Sequence, residues 1–96
     1  MFYVYILIND ENNSFYIGST SKQPQERLNE HNEHFFKGAF TTKEKNWKFH
    51  FLLRCDSLSQ ALKIEKHIKN MKSRKYLEDL IRYPAISEKL LNKYQP

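Results

Sequence analysis

Arg27 and His31 join a side chain that binds anions to one that can carry a proton. They lie four residues apart in a segment that reads as a helix, so they share one face, one turn from each other. The planar guanidinium group stabilises spread negative charge, and an imidazole exchanges a proton near neutral pH. Taken alone, the pair is also what an ordinary helix surface presents.

Glu65 is the carboxylate whose position suggests more than a solvated surface. It stands beside the apolar stripe of its helix, next to Ile64 and Ile68, rather than opposite that stripe. Lys69 is one turn further on and could pair with it as an ordinary i, i+4 ion pair. The other interpretation is a carboxylate that holds Mg²⁺, which usually takes one or two protein carboxylates and keeps several waters.

Tyr5 and Tyr16 lie on two short apolar segments that read as paired strands. Their rings could therefore project to one face of a sheet, while alternating neighbours fill the core on the other (Val4, Ile6, Phe15, Ile17). Aromatic residues in short strands are also ordinary core residues. Gly18, at the end of the second segment, predicts a bulge or the close approach of another backbone or of a ligand.

The elements that must position these side chains follow the order β–β–α–β–α–α, and a last short helix follows them. The predicted strands are Phe2–Ile8, Ser14–Ser19 and Trp47–Arg54, and a helix runs from Pro24 to about His34 with Phe35 near its core side. The later helices run from Ser57 or Ser59 to about Lys72, from Ser73 until Pro84 ends it, and from Ser87 to Tyr94. We expect an α+β fold with a small three-stranded antiparallel sheet flanked by helices.

Length and composition limit the possible classes of protein. A chain of 96 residues makes one domain, with a core at about 2–75 and a helical extension at about 76–96. We expect no membrane span, because no apolar run is long enough, and no signal peptide, because the first residues read as a strand. Cys55 is the single cysteine and reads as a small core residue, so we expect a reducing, cytoplasmic setting.

The net charge of +5 is concentrated in the C-terminal part. Residues 1–58 carry seven basic and seven acidic side chains, whereas residues 59–96 carry nine and four. This asymmetry suggests a polyanionic partner on one side, although a lysine-rich solvated helix face would look the same. The candidate nucleic-acid contacts lie on or just after the helix of Glu65: Lys63, Lys66, Lys69, Lys72, Arg74 and Lys75.

Several motifs in register resemble the GIY-YIG nuclease family, and most closely its small bacterial single-domain members. The resemblance covers roughly residues 2–75. It rests on Tyr3-Val4-Tyr5, Phe15-Tyr16-Ile17-Gly18-Ser19-Thr20, Arg27-Leu28-Asn29-Glu30-His31-Asn32, Trp47 and Ser59-Gln60-Ala61-Leu62-Lys63-Ile64-Glu65. The sequence departs from the family name at Tyr3, where glycine is expected.

The resemblance implies an endonuclease that cuts phosphodiester bonds in DNA with one divalent ion, Mg²⁺ or Mn²⁺. Tyr5 and Tyr16 match the motif tyrosines, Arg27 the catalytic arginine and Glu65 the metal carboxylate. His31 matches a histidine found one turn after that arginine. We expect Tyr5 to activate water with His31 as proton relay, and Tyr16 to orient the water or the phosphate.

Three alternatives stay open on the sequence. Glu30-His31-Asn32-Glu33-His34 invites a zinc interpretation, but no Cys/His cluster elsewhere supplies further ligands. A binding module that cuts nothing would keep the basic helix but lose some of the five site residues, and none is lost. An adaptor would dock a partner through exposed apolar residues of about 76–96.

The sequence does not choose the nucleic acid. Branched, nicked, single-stranded and duplex DNA all remain candidates, and RNA is not ruled out. We expect no appended targeting domain within 96 residues. Specificity would come from DNA shape, from a loop such as Phe36–Asn46, or from a targeting partner. A role in structure-directed DNA repair or recombination is one possibility and a mobile element is another, and the oligomeric state stays open.

Overall fold

The computed structural model describes residues 1–33 and 46–96. Within them the chain forms three strands and four helices. The strands are β1 (Phe2–Asn9), β2 (Phe15–Thr20) and β3 (Trp47–Cys55). The helices are α1 (Pro24–Asn32), α2 (Leu58–Met71), α3 (Arg74–Arg82) and α4 (Pro84–Lys93). The expected α+β class and its antiparallel sheet are confirmed.

The sheet has the order β2-β1-β3, with β1 antiparallel to both neighbours. Its centre is therefore the apolar N-terminal strand, which the sequence predicted to be covered on both sides. The hairpin between β1 and β2 closes through Asn13, whose φ of 57° lies in the left-handed region. Asparagine tolerates that region. The backbone N–H of Asn13 donates to the backbone carbonyl of Asn9 at 2.8 Å.

The two faces of β1 build two separate clusters, because successive side chains point to opposite sides of a strand. Val4 and Ile6 pack with α2 and the C-terminal helices. Tyr5 and Leu7 pack on the other side with Leu28 of α1 and with the first residue of β3. The predicted division, with the tyrosines on the face opposite the aliphatic core, is confirmed.

Serine caps fix the starts of α2 and α3. Ser57 Oγ accepts from the backbone N–H of Gln60 at 3.0 Å, so Ser57 rather than Ser59 caps α2. Ser73 Oγ accepts from the Tyr76 amide at 3.2 Å. Between the two helices Lys72 adopts a φ of 48°, so the chain turns at the residue where α2 was predicted to end.

The last helix differs from its prediction. Pro84 ends α3 as expected, but it also occupies the first turn of α4, three residues before the predicted start. The fixed φ of proline suits a helix start, and its missing N–H costs nothing there. Pro24 occupies the same position at the start of α1.

The C-terminal extension packs onto the domain. Leu77, Leu80 and Leu90 are buried in the α2-side core, and Tyr76 and Tyr94 pack against it half-buried. This burial argues against the adaptor alternative, which required an apolar face left open to solvent.

Three expectations concern the segment that the structure does not describe. They are the last turn of the first helix at His34, the contact of Phe35 and nearly all of the loop Phe36–Asn46. In the described residues, helix α1 ends at Asn32. Within the described part of the chain, no helix has the length and apolar character to cross a membrane.

Candidate active site

Tyr5 lies at the centre of the site, on the middle strand and with only 1% of its surface exposed. Its ring covers Gly18, the residue opposite it in the β1–β2 register. A Cβ added to Gly18 would lie 2.6 Å from the Tyr5 hydroxyl oxygen and 2.7 Å from Cζ. The predicted close approach at Gly18 is therefore present, and a side chain of the site makes it, while the β1–β2 register runs through Gly18 without a bulge.

Helix α1 brings Arg27 and His31 to this ring. Arg27 Nε donates to the Tyr5 hydroxyl at 3.2 Å, and that hydroxyl lies 3.0 Å from His31 Nε2. The predicted single face for the arginine and the histidine is confirmed, and it faces the sheet rather than solvent, since His31 has no exposed surface.

The direction of the hydrogen bonds follows from the charges. Burial raises the pKa of Tyr5 to about 12, against the opposing effect of the Arg27 hydrogen bond and charge, so its hydroxyl keeps its proton. Burial, and then the Arg27 charge, lower the pKa of His31 to about 4, so its ring is neutral. Arg27 can only donate. The Tyr5 hydroxyl therefore accepts from Arg27 and donates to His31 Nε2, which leaves the histidine proton on Nδ1.

Tyr16 joins this group through its ring. Its centroid lies 6.3 Å from that of Tyr5, with the planes 27° apart, and 4.7 Å from that of His31. Unlike Tyr5 it is only half-buried. Among the described residues none hydrogen-bonds the Tyr16 hydroxyl, so this is the tyrosine that can bond a water or a phosphate oxygen without giving up a partner.

Glu65, on α2, contacts the opposite side of β2 from the tyrosines. Ser19 points away from the Gly18 face, and its Oγ donates to Glu65 Oε1 at 2.5 Å. The Glu65 charge contributes, as the smallest of several causes, to the raised pKa of Tyr5. The carboxylate is thus close enough to influence the tyrosine, but no direct hydrogen bond joins it to Tyr5, Arg27 or His31.

The carboxylate oxygens of Glu65 suit a hard divalent ion whose other ligands come from water and from substrate phosphates. The described residues contain no group of three or more His, Cys, Asp or Glu side chains that could enclose a metal. Mg²⁺ does not need such a group, because it commonly binds one carboxylate, waters and substrate phosphates. Lys69 already places a cation on Glu65, with 2.7 Å between its Nζ and Oε2.

Residues 1–77, more than three quarters of the chain, match the model of the GIY-YIG catalytic domain. The chain belongs to the GIY-YIG family. Searches of curated proteins and of solved structures gave no significant match. The family is of the nuclease type, so its domain implies a nucleic-acid substrate.

Within this GIY-YIG domain the six predicted basic contacts do not form one patch. Lys69, Lys72 and Arg74 line a hollow of about 240 Å³ on the Glu65 side of α2. Lys63 and Lys66 line a different one of about 320 Å³, together with other residues of α2 and with Tyr94, which follows α4. The separation follows from helix geometry, since residues 69 and 72 lie one and two turns from Glu65, whereas 63 and 66 point to other faces.

Arg74 and Lys75 are partly occupied by other contacts. The guanidinium of Arg74 lies 4.6 Å from the centroid of the Phe15 ring and donates to the Asn13 carbonyl at 2.9 Å. Lys75 Nζ lies 3.1 Å from a carboxylate oxygen of Asp79. Lys72 has no such partner among the described residues.

Two contacts of the site were not predicted from the sequence. Ser19 belongs to the motif on β2, and its position after Gly18 places its hydroxyl on the opposite face of that strand. Glu30, which the sequence placed in the family motif and in the zinc interpretation, has its carboxylate 3.5 Å from Arg27 Nη1 and 2.6 Å from Lys22 Nζ. Its i, i+3 spacing from Arg27 was the available signal.

The remaining candidates have structural partners. His50 Nε2 lies 3.0 Å from the Leu77 carbonyl oxygen, and His67 Nδ1 lies 2.9 Å from the Tyr94 hydroxyl. Burial raises the pKa of the Cys55 thiol to about 11, and the residue is a core residue as predicted. For the zinc alternative, His31 Nε2 is occupied by the Tyr5 hydroxyl, while His34 lies outside the described residues.

Proposed function

We propose that this chain is a divalent-metal-dependent endonuclease that hydrolyses phosphodiester bonds in DNA. The observation that carries the proposal is the chain of hydrogen bonds from Arg27 through Tyr5 to His31, beside the Tyr16 hydroxyl, which no described residue hydrogen-bonds. A histidine and an arginine held on one buried tyrosine have no evident structural purpose, because an apolar contact would stabilise the fold at lower cost.

The proposed mechanism begins with charge. Hydrolysis of a phosphodiester places negative charge on the non-bridging oxygens, and Arg27 supplies a preorganised positive group with donors beyond the one bonded to Tyr5. Arg27 is held in place by Tyr5 and by Glu30. One Mg²⁺ or Mn²⁺ at Glu65 would polarise the phosphate and stabilise the leaving oxygen.

Proton transfer follows the observed hydrogen bonds. A tyrosine whose pKa is about 12 is protonated at neutral pH. It can act as a general base only if another group accepts its own proton. Neutral His31 is that acceptor: as Tyr5 takes a proton from the attacking water, it passes its own to Nε2. Tyr16 would orient the water or the phosphate.

The exposure of the two tyrosines makes their comparison decisive for this assignment. Tyr5 is nearly fully buried and Tyr16 is not. Tyr5→Phe should lower the cleavage rate about 10²- to 10⁴-fold, the usual contribution of a general base, and Tyr16→Phe should cost less. A large loss in Tyr16→Phe alone would move the base to Tyr16; equal modest losses would remove the base role from both.

The nucleic acid would follow the Glu65 side of α2. Lys69, Lys72 and Arg74 extend from the carboxylate toward the start of α3, where phosphates flanking the cut would be neutralised. We propose DNA as the substrate, and one single-domain nuclease over residues 1–96 in which α4 supports α2.

A cleavage assay tests the proposal. Duplex, flap and single-stranded DNA and a matched RNA are incubated with the protein in Mg²⁺ or in EDTA. We expect cleavage of at least one DNA in Mg²⁺, none in EDTA, and none by Glu65→Ala. Tight, salt-sensitive binding of DNA without cleavage of any substrate would instead favour the binding module.

A further inference from the structure

Both oxygens of the Glu65 carboxylate are engaged in the protein alone. Ser19 Oγ donates to Oε1 at 2.5 Å, and Lys69 Nζ lies 2.7 Å from Oε2. The carboxylate is 18% exposed and the lysine side chain 52% exposed. A carboxylate that is to receive a metal ion is therefore already neutralised by a cation of the same chain.

The two partners differ in how freely they can move. Ser19 is short and sits on β2, where its backbone is paired with Val4 of the central strand. Lys69 has a flexible four-carbon stem and a mostly solvated end, and it also lines the hollow shared with Lys72 and Arg74. One contact to Glu65 is thus fixed by the sheet, and the other can be released.

We propose that Lys69 is a resident counter-ion of Glu65 that gives up Oε2 to the divalent ion and moves to a substrate phosphate, while Ser19 keeps Oε1 in place. This inference rests on the proposed function. It assigns Ser19 and Lys69 as positioning residues, and no covalent bond is made or broken in the exchange.

The exchange follows from electrostatics. An ammonium group and a divalent ion on the same carboxylate oxygen repel each other, so Lys69 competes with the metal while no substrate is bound. A phosphate in the adjacent hollow offers Lys69 another anionic partner. Metal and nucleic acid should therefore each strengthen the binding of the other, because such coupling is reciprocal.

The test is a Mn²⁺ titration of the free protein, read by the electron paramagnetic resonance signal of unbound Mn²⁺. Lys69→Met removes the charge and keeps most of the stem. We expect it to tighten Mn²⁺ binding about two- to fivefold, the usual strength of a partly exposed ion pair. Lys66→Met is the matched control: it removes the same charge from the same helix, at a residue that makes no ion pair among the described residues.

Ser19 is tested in the same titration. Ser19→Ala should weaken Mn²⁺ binding, and Ser19→Thr, which keeps the hydroxyl and suits a strand, should restore it. Glu65→Gln should remove the binding that these variants modulate. An unchanged or weaker Mn²⁺ affinity in Lys69→Met, or an equal gain in Lys66→Met, would overturn the exchange.

Substrate coupling completes the test. DNA binding is measured with Ca²⁺ in place of Mg²⁺, and Lys69→Met should lose several-fold more affinity than Lys66→Met. Equal losses would show that Lys69 does not move to a phosphate. A protein that gives these shifts but cuts nothing contradicts the proposed function alone, whereas a cutting protein whose Mn²⁺ affinity ignores Lys69 contradicts this inference alone.

Discussion

The neutral state of His31 has a measurable consequence for stability. The side chain is fully buried, and burial and the charge of Arg27 lower its pKa from 6.5 to about 4. The unfolded chain takes up a proton at the ordinary pKa, whereas the folded protein does not. The contribution of neutral His31 to the free energy of unfolding is therefore fully present above pH 6.5 and is lost as the pH drops toward 4. The difference amounts to about 3 kcal/mol at pH 4, a large share of the stability of a small domain.

Urea unfolding between pH 7 and pH 4 measures this effect. His31→Gln does not titrate, and its amide oxygen can still accept the Tyr5 proton. Because both proteins carry the same carboxylates, the difference between their free energies of unfolding isolates His31. The stability of the wild type relative to the variant should fall by about 3 kcal/mol between pH 7 and pH 4.

Parallel stability curves for the two proteins would refute the reasoning. They would mean that His31 takes up a proton in the folded protein as readily as in the unfolded chain. It would then be charged at mildly acidic pH and unable to accept the proton of Tyr5, and the proposed relay would lose its acceptor.

Three further predictions concern packing, electrostatics and the link between α1 and β3. Gly18→Ala should destabilise the fold by about 1–3 kcal/mol and slow cleavage, because the new methyl group would displace the Tyr5 ring; unchanged unfolding midpoints and rates would contradict this contact. Lys72→Ala should lower the slope of log affinity against log salt by about 1, whereas Lys75→Ala, whose ammonium is paired, should change it less; equal changes would place both lysines on the nucleic acid. Asn32→Ala should cost about 1–3 kcal/mol in urea unfolding, since its amide both donates to and accepts from the backbone of the first β3 residue; a neutral effect would count against that double bond.

Much of the fold follows from the sequence because its signals are local and agree with one another. The central strand, the Ser73 cap and the helical spacing of the α2 core each predicted the element that is observed. Pro84 shows the limit of local signals, because this residue both follows the end of α3 and occupies the first turn of α4.

The site was predicted less completely because its geometry depends on contacts between elements. The sequence placed Arg27 and His31 on one face, but it could not show that this face turns inward onto Tyr5. Nor could the i, i+4 spacing of Glu65 and Lys69 show that Ser19, 46 residues earlier than Glu65, holds the other carboxylate oxygen. Such long-range partners are fixed by strand register and helix packing, which the sequence pattern does not specify.

The measurement that tests the central claim most directly is the single-turnover cleavage rate of Arg27→Ala in Mg²⁺, beside the wild type and Arg54→Ala. Arg54 is an exposed arginine on β3, so its variant controls for the loss of one positive charge. We expect Arg27→Ala to lose at least about 10²-fold, as for a group that stabilises transition-state charge, and Arg54→Ala to stay near the wild-type rate. Equal rates for all three proteins, or no cleavage by the wild type, would contradict the proposed activity of this site.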